Sequence, residues 1–277
     1  MIASLVEHIF PVRLQREAKK GKEEFAIVSF PKCGRTWLRL MIGRSIQKEF
    51  KLSGADPLEL YTLSRLHPEV PVITITHDER PFWKKPEQLC VSKEEYRHKK
   101  VILLVRDPRD VIVSSYFEKK NRVHTYSNRQ PYSGRLSEFL EEKVGGFDTI
   151  LRYYNIWAQN QLVPKGFMLV RYEDLQRKPE EELGRVLAFL GLRRIGHDVI
   201  AEAVRYSSFE NMRKMEKGDV FQSFRLRPGD VCNEESYKTR RGKVGGFSDY
   251  LTQDEIEYLN RKMEKALKGL FGYITGD

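Results

Sequence analysis

Apolar residues along this chain fall in short blocks separated by polar stretches, and the blocks follow two different periods. Phe25 to Phe30 is a compact apolar block that runs directly into Pro31-Lys32-Cys33-Gly34-Arg35-Thr36. From Thr36 to about Glu49 the spacing changes: Leu38, Met41, Ile42, Ser45 and Ile46 share one helical face. Strand, tight loop and helix are therefore predicted in that order. Val72 to Thr76 reads as a second strand ending at His77, and Phe167 to Val170 as a fourth. Between them, Val101 to Val105 is an unbroken apolar run, as in a parallel strand buried on both faces. It passes into Arg106-Asp107-Pro108-Arg109-Asp110 and a helix from Val111. Further helices are predicted over 179–190, stopped by Gly191, and over 198–206. The last opens at a capping box, Thr252-Gln253-Asp254-Glu255, and carries the stripe Ile256, Leu259, Met263 and Leu267.

Alternating strands and helices predict an α/β fold: one domain over residues 1–277, its central and mainly parallel sheet flanked by helices. Such sheets bind ligands beyond the carboxyl ends of their strands. Two stretches stand outside the alternation. Residues 1–24 form a charged lead-in, and 213–247 is polar, rich in glycine and basic residues, and without a clear period. An irregular stretch of that length is expected to be functional or disordered.

Composition narrows the class. Hydrophobic residues make up 40% and charged residues 32% of the chain, which suits a globular protein and excludes collagen and coiled coil. No apolar run approaches the ~20 residues of a membrane helix. Met1 to Pro11 lacks the basic segment and cleavage site of a signal peptide. Cys33, Cys90 and Cys232 are too few and too widely spaced for a disulfide framework or zinc finger. A cytoplasmic location is expected. Against 39 acidic residues stand 49 basic ones, a net charge of +10. That surplus suggests an anionic partner: nucleic acid, a membrane surface or a small polyanion.

The loop 31–36 suits an anion. A helix N-terminus supplies free N–H groups, Gly34 allows close backbone approach, Lys32 adds charge and Thr36 a hydroxyl. It is not a Walker A loop, because the lysine precedes the glycine instead of following a second one. Phe30-Pro31-Lys32-Cys33-Gly34-Arg35-Thr36-Trp37-Leu38 resembles the P-K-[SAC]-G-[TN]-T-W-L loop of the sulfotransferases. In that family the loop holds the 5′-phosphosulfate of 3′-phosphoadenosine 5′-phosphosulfate (PAPS).

The resemblance continues in order along the chain. Arg106-Asp107-Pro108-Arg109-Asp110 followed by Ser114 is similar to the family's R-[ND]-P-[KR]-D-x-x-x-S segment, which implies that Arg106 and Ser114 bind the 3′-phosphate. Tyr172-Glu173-Asp174 resembles the family's Y-E-D, where the tyrosine contacts adenine. Ser207-Ser208-Phe209-Glu210-Asn211-Met212 resembles [TS]-S-F-x-x-M, which implies adenine contacts for Ser207 and Phe209. Arg240-Arg241-Gly242 matches the start of R-K-G-x-x-G-D-W, which closes over the 3′-phosphate, whereas Gly246 and Phe247 replace the family's Asp and Trp. By this resemblance 213–247 becomes a lid that orders when nucleotide binds.

Of six histidines (8, 67, 77, 98, 124 and 197), His77 alone ends a predicted strand. Ile75-Thr76-His77 resembles the family's K-T-H, whose histidine is the general base of the cytosolic branch. The lysine of that tripeptide is Ile75 here, so its help in the transition state is absent or supplied elsewhere. Asp78 and Glu79 are reserve carboxylate bases. The implied reaction is sulfuryl transfer from PAPS to a hydroxyl or amine of a small-molecule acceptor, with His77 and Lys32 catalytic. Lys32, Cys33, Gly34, Arg35, Thr36 and Trp37 would hold the donor. The product is 3′-phosphoadenosine 5′-phosphate (PAP). No metal is called for, since Lys and Arg meet the leaving charge, and no cluster has metal-ligand spacing. Phe82, Trp83, Tyr132 and Phe147, in segments 78–90 and 117–148, are candidate acceptor contacts, and 218–237 is a further contributor. A P-loop small-molecule kinase, a catalytically inactive nucleotide-binding relative and a nucleic-acid-binding protein are the competing readings; no nucleic-acid module is recognisable. The sequence leaves the oligomeric state open.

Overall fold

The structure is a computed structural model and describes residues 24–273. In chain order it contains β1 (Glu24–Ser29), α1 (Arg35–Glu49), α2 (Leu60–Leu66), β2 (Val72–Thr76), β3 (Lys100–Val105), α3 (Pro108–Asn121) and α4 (Leu136–Leu140). These are followed by α5 (Phe147–Gln159), β4 (Gly166–Arg171), α6 (Tyr172–Arg177), α7 (Pro179–Phe189), α8 (His197–Tyr206), α9 (Phe209–Lys217) and α10 (Gln253–Ala266). Each strand lies within one residue of its predicted block. Glu24 belongs to β1 rather than to the charged lead-in, whose remaining residues lie outside the described ones.

The strands form one parallel sheet in the order β2-β1-β3-β4. Ile27 lies beside Ile75 on one flank and Ile102 on the other. Both faces are covered: Phe25 to Val28 and Val101 to Val105 are at most 1% exposed. That is why these strands read as continuous apolar runs instead of alternating. The chain leaves β1 toward β2 and later returns to the opposite side to form β3. The crevice at the carboxyl ends of β1 and β3 is thus the topological switch point, where α/β sheets bind ligands.

Five helices escape the predicted pattern: the short α2, α4 and α6, and the longer α5 and α9. α5 is the main buried helix of the core, with Ile150, Tyr153, Tyr154 and Trp157 at most 2% exposed. Its apolar spacing Ile150, Tyr154, Trp157 was a legible helical signal. α9 takes residues as far as Lys217 out of the expected irregular stretch, and short 3-10 turns at Phe224–Leu226, Glu234–Ser236 and Gly246–Asp249 shape the rest. α10 opens at the expected capping box: the Thr252 hydroxyl accepts from Glu255 N–H, and the Glu255 carboxylate accepts from Thr252 N–H. Leu259 and Met263 are buried as anticipated, and Leu267 follows just past the last turn. Among the described residues no helix is long and apolar enough to cross a membrane.

Candidate active site

The turn between β1 and α1 is built on left-handed backbone. Lys32 has φ 74° and Gly34 φ 89°. A Cβ on Gly34 would lie 2.5 Å from Cδ2 of Tyr172, so glycine is required by conformation and by space. Gly34→Ala is expected to cost about 1–3 kcal/mol in backbone strain alone and to push the Tyr172 ring aside. Urea unfolding would measure the first effect and nucleotide-induced thermal stabilisation the second; a variant matching the parent in both would refute this account.

One cavity opens over this turn. It is lined by Lys32, Gly34, Arg35, Thr36 and Trp37 from the first loop, His77 from the end of β2, and Arg106 and Ser114 from β3–α3. Tyr172, Ser207 and Phe209, then Arg240, Arg241 and Gly242, complete it from later segments. The predicted donor-binding residues therefore converge, with one exception. Cys33 is fully buried and faces the core, its Sγ 3.4 Å from the Tyr154 hydroxyl and its thiol pushed up to about 12 by burial. Gln176, Met212, Lys238 and Thr239 also line the cavity and were not anticipated. Met212 closes the S-S-F-x-x-M match and Gln176 lies one helical turn after Tyr172, so both had a signal. Lys238 and Thr239 had none.

Each wall has a structural reason. Arg106 ties three segments together. Its Nη1 donates to the Lys32 carbonyl (3.5 Å), its Nη2 to the Lys243 carbonyl (2.8 Å), and it pairs with Asp110 at 3.3 Å. Its guanidinium also lies 4.4 Å from the Tyr172 ring centre. Asp107 caps α3 by accepting from Arg109 N–H, and Asp110 accepts from the N–H groups of Gly245 and Phe247. The acidic residues of this motif thus fix the fold, while Arg106 and Ser114 face the cavity. Phe247 stacks under Arg109 at 4.3 Å. Glu216 of α9 accepts from the backbone of Lys238 and Thr239, positioning the segment that carries the basic pair. Arg240 and Arg241 share Glu235 and the Tyr250 hydroxyl. A Cβ on Gly242 would lie 2.6 Å from the ring of Phe209.

Charge behind the cavity wall centres on Glu118, a buried residue of α3 that the sequence did not single out. It meets Lys32 at 2.6 Å, Arg122 at 3.0 Å and Lys238 at 3.8 Å, and accepts from the Tyr126 hydroxyl at 2.8 Å. Burial would raise this carboxyl, but Lys238, Lys32 and Arg122 hold it well below the usual carboxylate range. Burial lowers Lys32 against the pull of Glu118, and pushes Lys238 down to about 7.

His77 donates through Nδ1 to the Ser29 carbonyl at 2.9 Å. That carbonyl can only accept, so Nε2 carries the lone pair, and it faces Arg35 Nη2 at 2.7 Å. Burial and then Arg35 lower His77 well below the ordinary imidazole value, so the ring is neutral at pH 7. Asp78, Glu79 and Arg80 follow in left-handed backbone with φ 52–61°. The two carboxylates are engaged: Asp78 with Lys93 and the Tyr96 hydroxyl, Glu79 with Lys84 and Lys93. Neither lines the cavity, which removes them as reserve bases in this arrangement.

The acceptor candidates divide. Trp83 and Tyr132 line a second cavity of about 310 Å³ with Lys119, Arg129 and Glu142. Phe82 is 5% exposed and packs edge-on against Phe30 and Trp83. Phe147 is fully buried at the start of α5, where its ring belongs to the core. These two residues line neither cavity.

The geometry fits an anionic nucleotide. Arg35 Nη1, Arg106 Nε and Ser207 Oγ are buried without hydrogen-bond partners, and all three residues line the first cavity. Buried donors of this kind need acceptors, which phosphate or sulfate oxygens supply. Among the described residues no cluster of three His, Cys, Asp or Glu could hold a metal. A parallel sheet with a non-Walker anion loop at its switch point is a P-loop-like fold. The sulfotransferase domain model matches residues 22–271, and the chain belongs to the sulfotransferase family. It is 25% identical to cytosolic sulfotransferase 12 of Arabidopsis thaliana, covering 92% of this chain and 80% of that one. It is 24% identical to flavonol 3-sulfotransferase of Flaveria bidentis, covering 90% and 83%. The fold matches mouse sulfotransferase SULT7A1 complexed with PAP, with TM-score 0.59 and 19% identity over 89% of this chain and 85% of that one. It also matches retinol dehydratase in complex with androsterone and PAP, with TM-score 0.60 and 17% identity over 89% and 81%. The protein is a PAPS-dependent sulfotransferase.

Proposed function

We propose that the enzyme moves the sulfuryl group of PAPS to a hydroxyl or amine of a small-molecule acceptor in the cytoplasm, with His77 as general base. The observation that carries this reading is that His77, its ring held by the Ser29 carbonyl, lines the same cavity as Lys32, Arg106 and the Arg240-Arg241 pair. The donor supplies an activated sulfur joined to a phosphate leaving group. His77 takes the acceptor's proton on Nε2 as the acceptor–sulfur bond forms. As the sulfur–oxygen bond to phosphate breaks, its electron pair remains on the phosphate oxygen. Lys32 and the free N–H groups of the α1 N-terminus oppose that charge. Arg106, Ser114, Arg240 and Arg241 are assigned to the 3′-phosphate, and Tyr172, Ser207 and Phe209 to adenine. Phe209, 39% exposed, offers an accessible ring for stacking. Trp83 and Tyr132, beside Arg129 in the second cavity, support an aromatic acceptor.

PAP is expected to raise the melting temperature far more than ATP with magnesium. A larger shift with ATP would favour a small-molecule kinase and end this reading. An acceptor screen with labelled PAPS, read by mass spectrometry, then identifies the acceptor; no transfer to any acceptor despite strong PAP binding would favour the inactive relative.

A further inference from the structure

The contact between Arg35 and His77 is unexpected for a catalytic base. A base must offer its lone pair to the acceptor's proton, and here a guanidinium donates to that lone pair at 2.7 Å. Arg35 stands where the resembled loop motif has threonine or asparagine, and Ile75 stands where the family's K-T-H has lysine. The nucleotide-binding turn itself therefore sends a cation to the base.

The surroundings of His77 make the contact consequential. Facing it are Arg35 from α1, the Ser29 carbonyl at the end of β1, Lys238 from the segment after α9, and Glu118 from α3. The Tyr153 hydroxyl of α5 donates to its backbone carbonyl. Glu118 is already shared among Lys32, Arg122 and Lys238. A proton on Nε2 would point directly at a guanidinium. Burial and then neighbouring Arg39 push Arg35 down to about 9, so it keeps its charge at neutral pH. Its second terminal nitrogen, Nη1, is buried and has no partner, although the residue lines the cavity.

We propose that Arg35 is a donor-operated gate on His77: in the free enzyme it caps Nε2, and when the phosphosulfate anion enters it turns to the anion's oxygens and uncovers the base. The inference rests on the sulfotransferase reading of the same cavity. A planar guanidinium binds an oxyanion through two charge-assisted hydrogen bonds, which outweigh one bond to a neutral imidazole. The unpartnered Nη1 is the half of that fork already waiting. Once Arg35 has turned, the anion's charge stands near His77 and favours the imidazolium that proton transfer creates. The base is thus raised toward working strength only when there is a sulfuryl group to transfer.

The experiment uses the full chain with isotopically labelled histidine, His77 being assigned by loss of its ring signals in a His77→Gln variant. Ring titrations are recorded for the parent, Arg35→Gln and Arg35→Lys, each with and without PAPS and without acceptor. PAPS affinity is measured alongside by calorimetry. In the free protein, Arg35→Gln is expected to move the His77 titration upward. In the parent, PAPS is expected to do the same. PAPS affinity is expected to fall about tenfold in Arg35→Gln, the effect of losing a charge-assisted bond, and less in Arg35→Lys, which keeps the charge and loses the fork. A His77 titration unmoved by Arg35→Gln would show that Arg35 does not cap the base. Unchanged PAPS affinity would show that it does not turn to the anion. Either result overturns the gate. Failure of the parent to bind PAPS would instead overturn the sulfotransferase reading, so the two failures are distinguishable.

Discussion

Replacing His77 with alanine is expected to lower kcat by about 10²–10⁴-fold, the usual contribution of a positioned general base, while PAP still stabilises the protein. The separation follows from where the residue sits. His77 ends β2 and reaches the cavity through a ring fixed by the Ser29 carbonyl, whereas the cations assigned to the two phosphate ends come from other segments. The pH profile of the parent supplies a second check. Burial first, and then Arg35, lower His77 below its ordinary value of 6.5. A base is competent above its pKa, so kcat/KM for PAPS, which reports the free enzyme, should stay level as pH falls from neutrality and decline only on reaching that lowered range, whereas kcat, which reports the donor-bound enzyme, should decline at a higher pH. A His77→Ala enzyme with undiminished kcat would remove the base assignment. Loss of PAP stabilisation together with activity would show that the residue holds the fold of the cavity and not the proton.

Glu118→Ala is expected to be the most damaging single change to stability. It removes the carboxylate shared by Lys32, Arg122 and Lys238, at a site where Glu118 is 4% exposed. Leaving buried charge without its partner costs about 3–5 kcal/mol, which corresponds to a fall of roughly 10 °C in Tm for a domain of this size. The sign of the pH dependence follows from the groups left behind. Both lysines are already lowered, Lys238 to about 7, and losing Glu118 lowers them further. In the unfolded chain they keep their protons, so the unfolded state binds more protons and stability rises with pH. The deficit should be largest near pH 6 and shrink toward pH 9. Urea unfolding at the two pH values decides the matter; a variant within 1 kcal/mol of the parent at pH 6, against the stated expectation, would show that the cations do not depend on Glu118. PAP should narrow the gap, because its phosphates supply the missing negative charge.

Glu118 was invisible in the sequence, and the reason is physical. It lies one helical turn after Ser114, on a helix whose function-bearing residues all fall in its first two turns. Its partners Lys32 and Lys238 are 86 and 120 positions away, and only the folded sheet brings them together. The same holds for Arg35: nothing in a linear reading places the residue after Gly34 against the end of β2. Parallel pairing of β1 with β2 does so, setting Val28 beside Thr76 and hence His77 beside the loop.

The local features were legible. Continuous apolar runs marked β1 and β3 because both faces of the sheet are covered, and a strand buried on both sides has no polar alternation to hide it. Gly34, Lys32 and the change to helical period marked the anion loop, because close backbone approach and a helix N-terminus are specified within a few residues. Phe147 shows the opposite case. Its segment looked like an acceptor loop because aromatic and polar residues alternate there irregularly, yet α5 starts at Phe147 and turns it into the core. Residues 213–247 show it again. Beyond the end of α9 their lack of period was real, but Glu216 and Asp110 hold them in place through backbone N–H groups, a kind of bond that leaves no sequence pattern. The sequence alone thus determined the four strands, the anion loop and the order of the nucleotide-facing motifs, since each depends on neighbours a few residues apart. The charge balance around Glu118, the capped state of His77 and the division of the acceptor candidates depend on contacts between distant segments, and only the tertiary structure decided them.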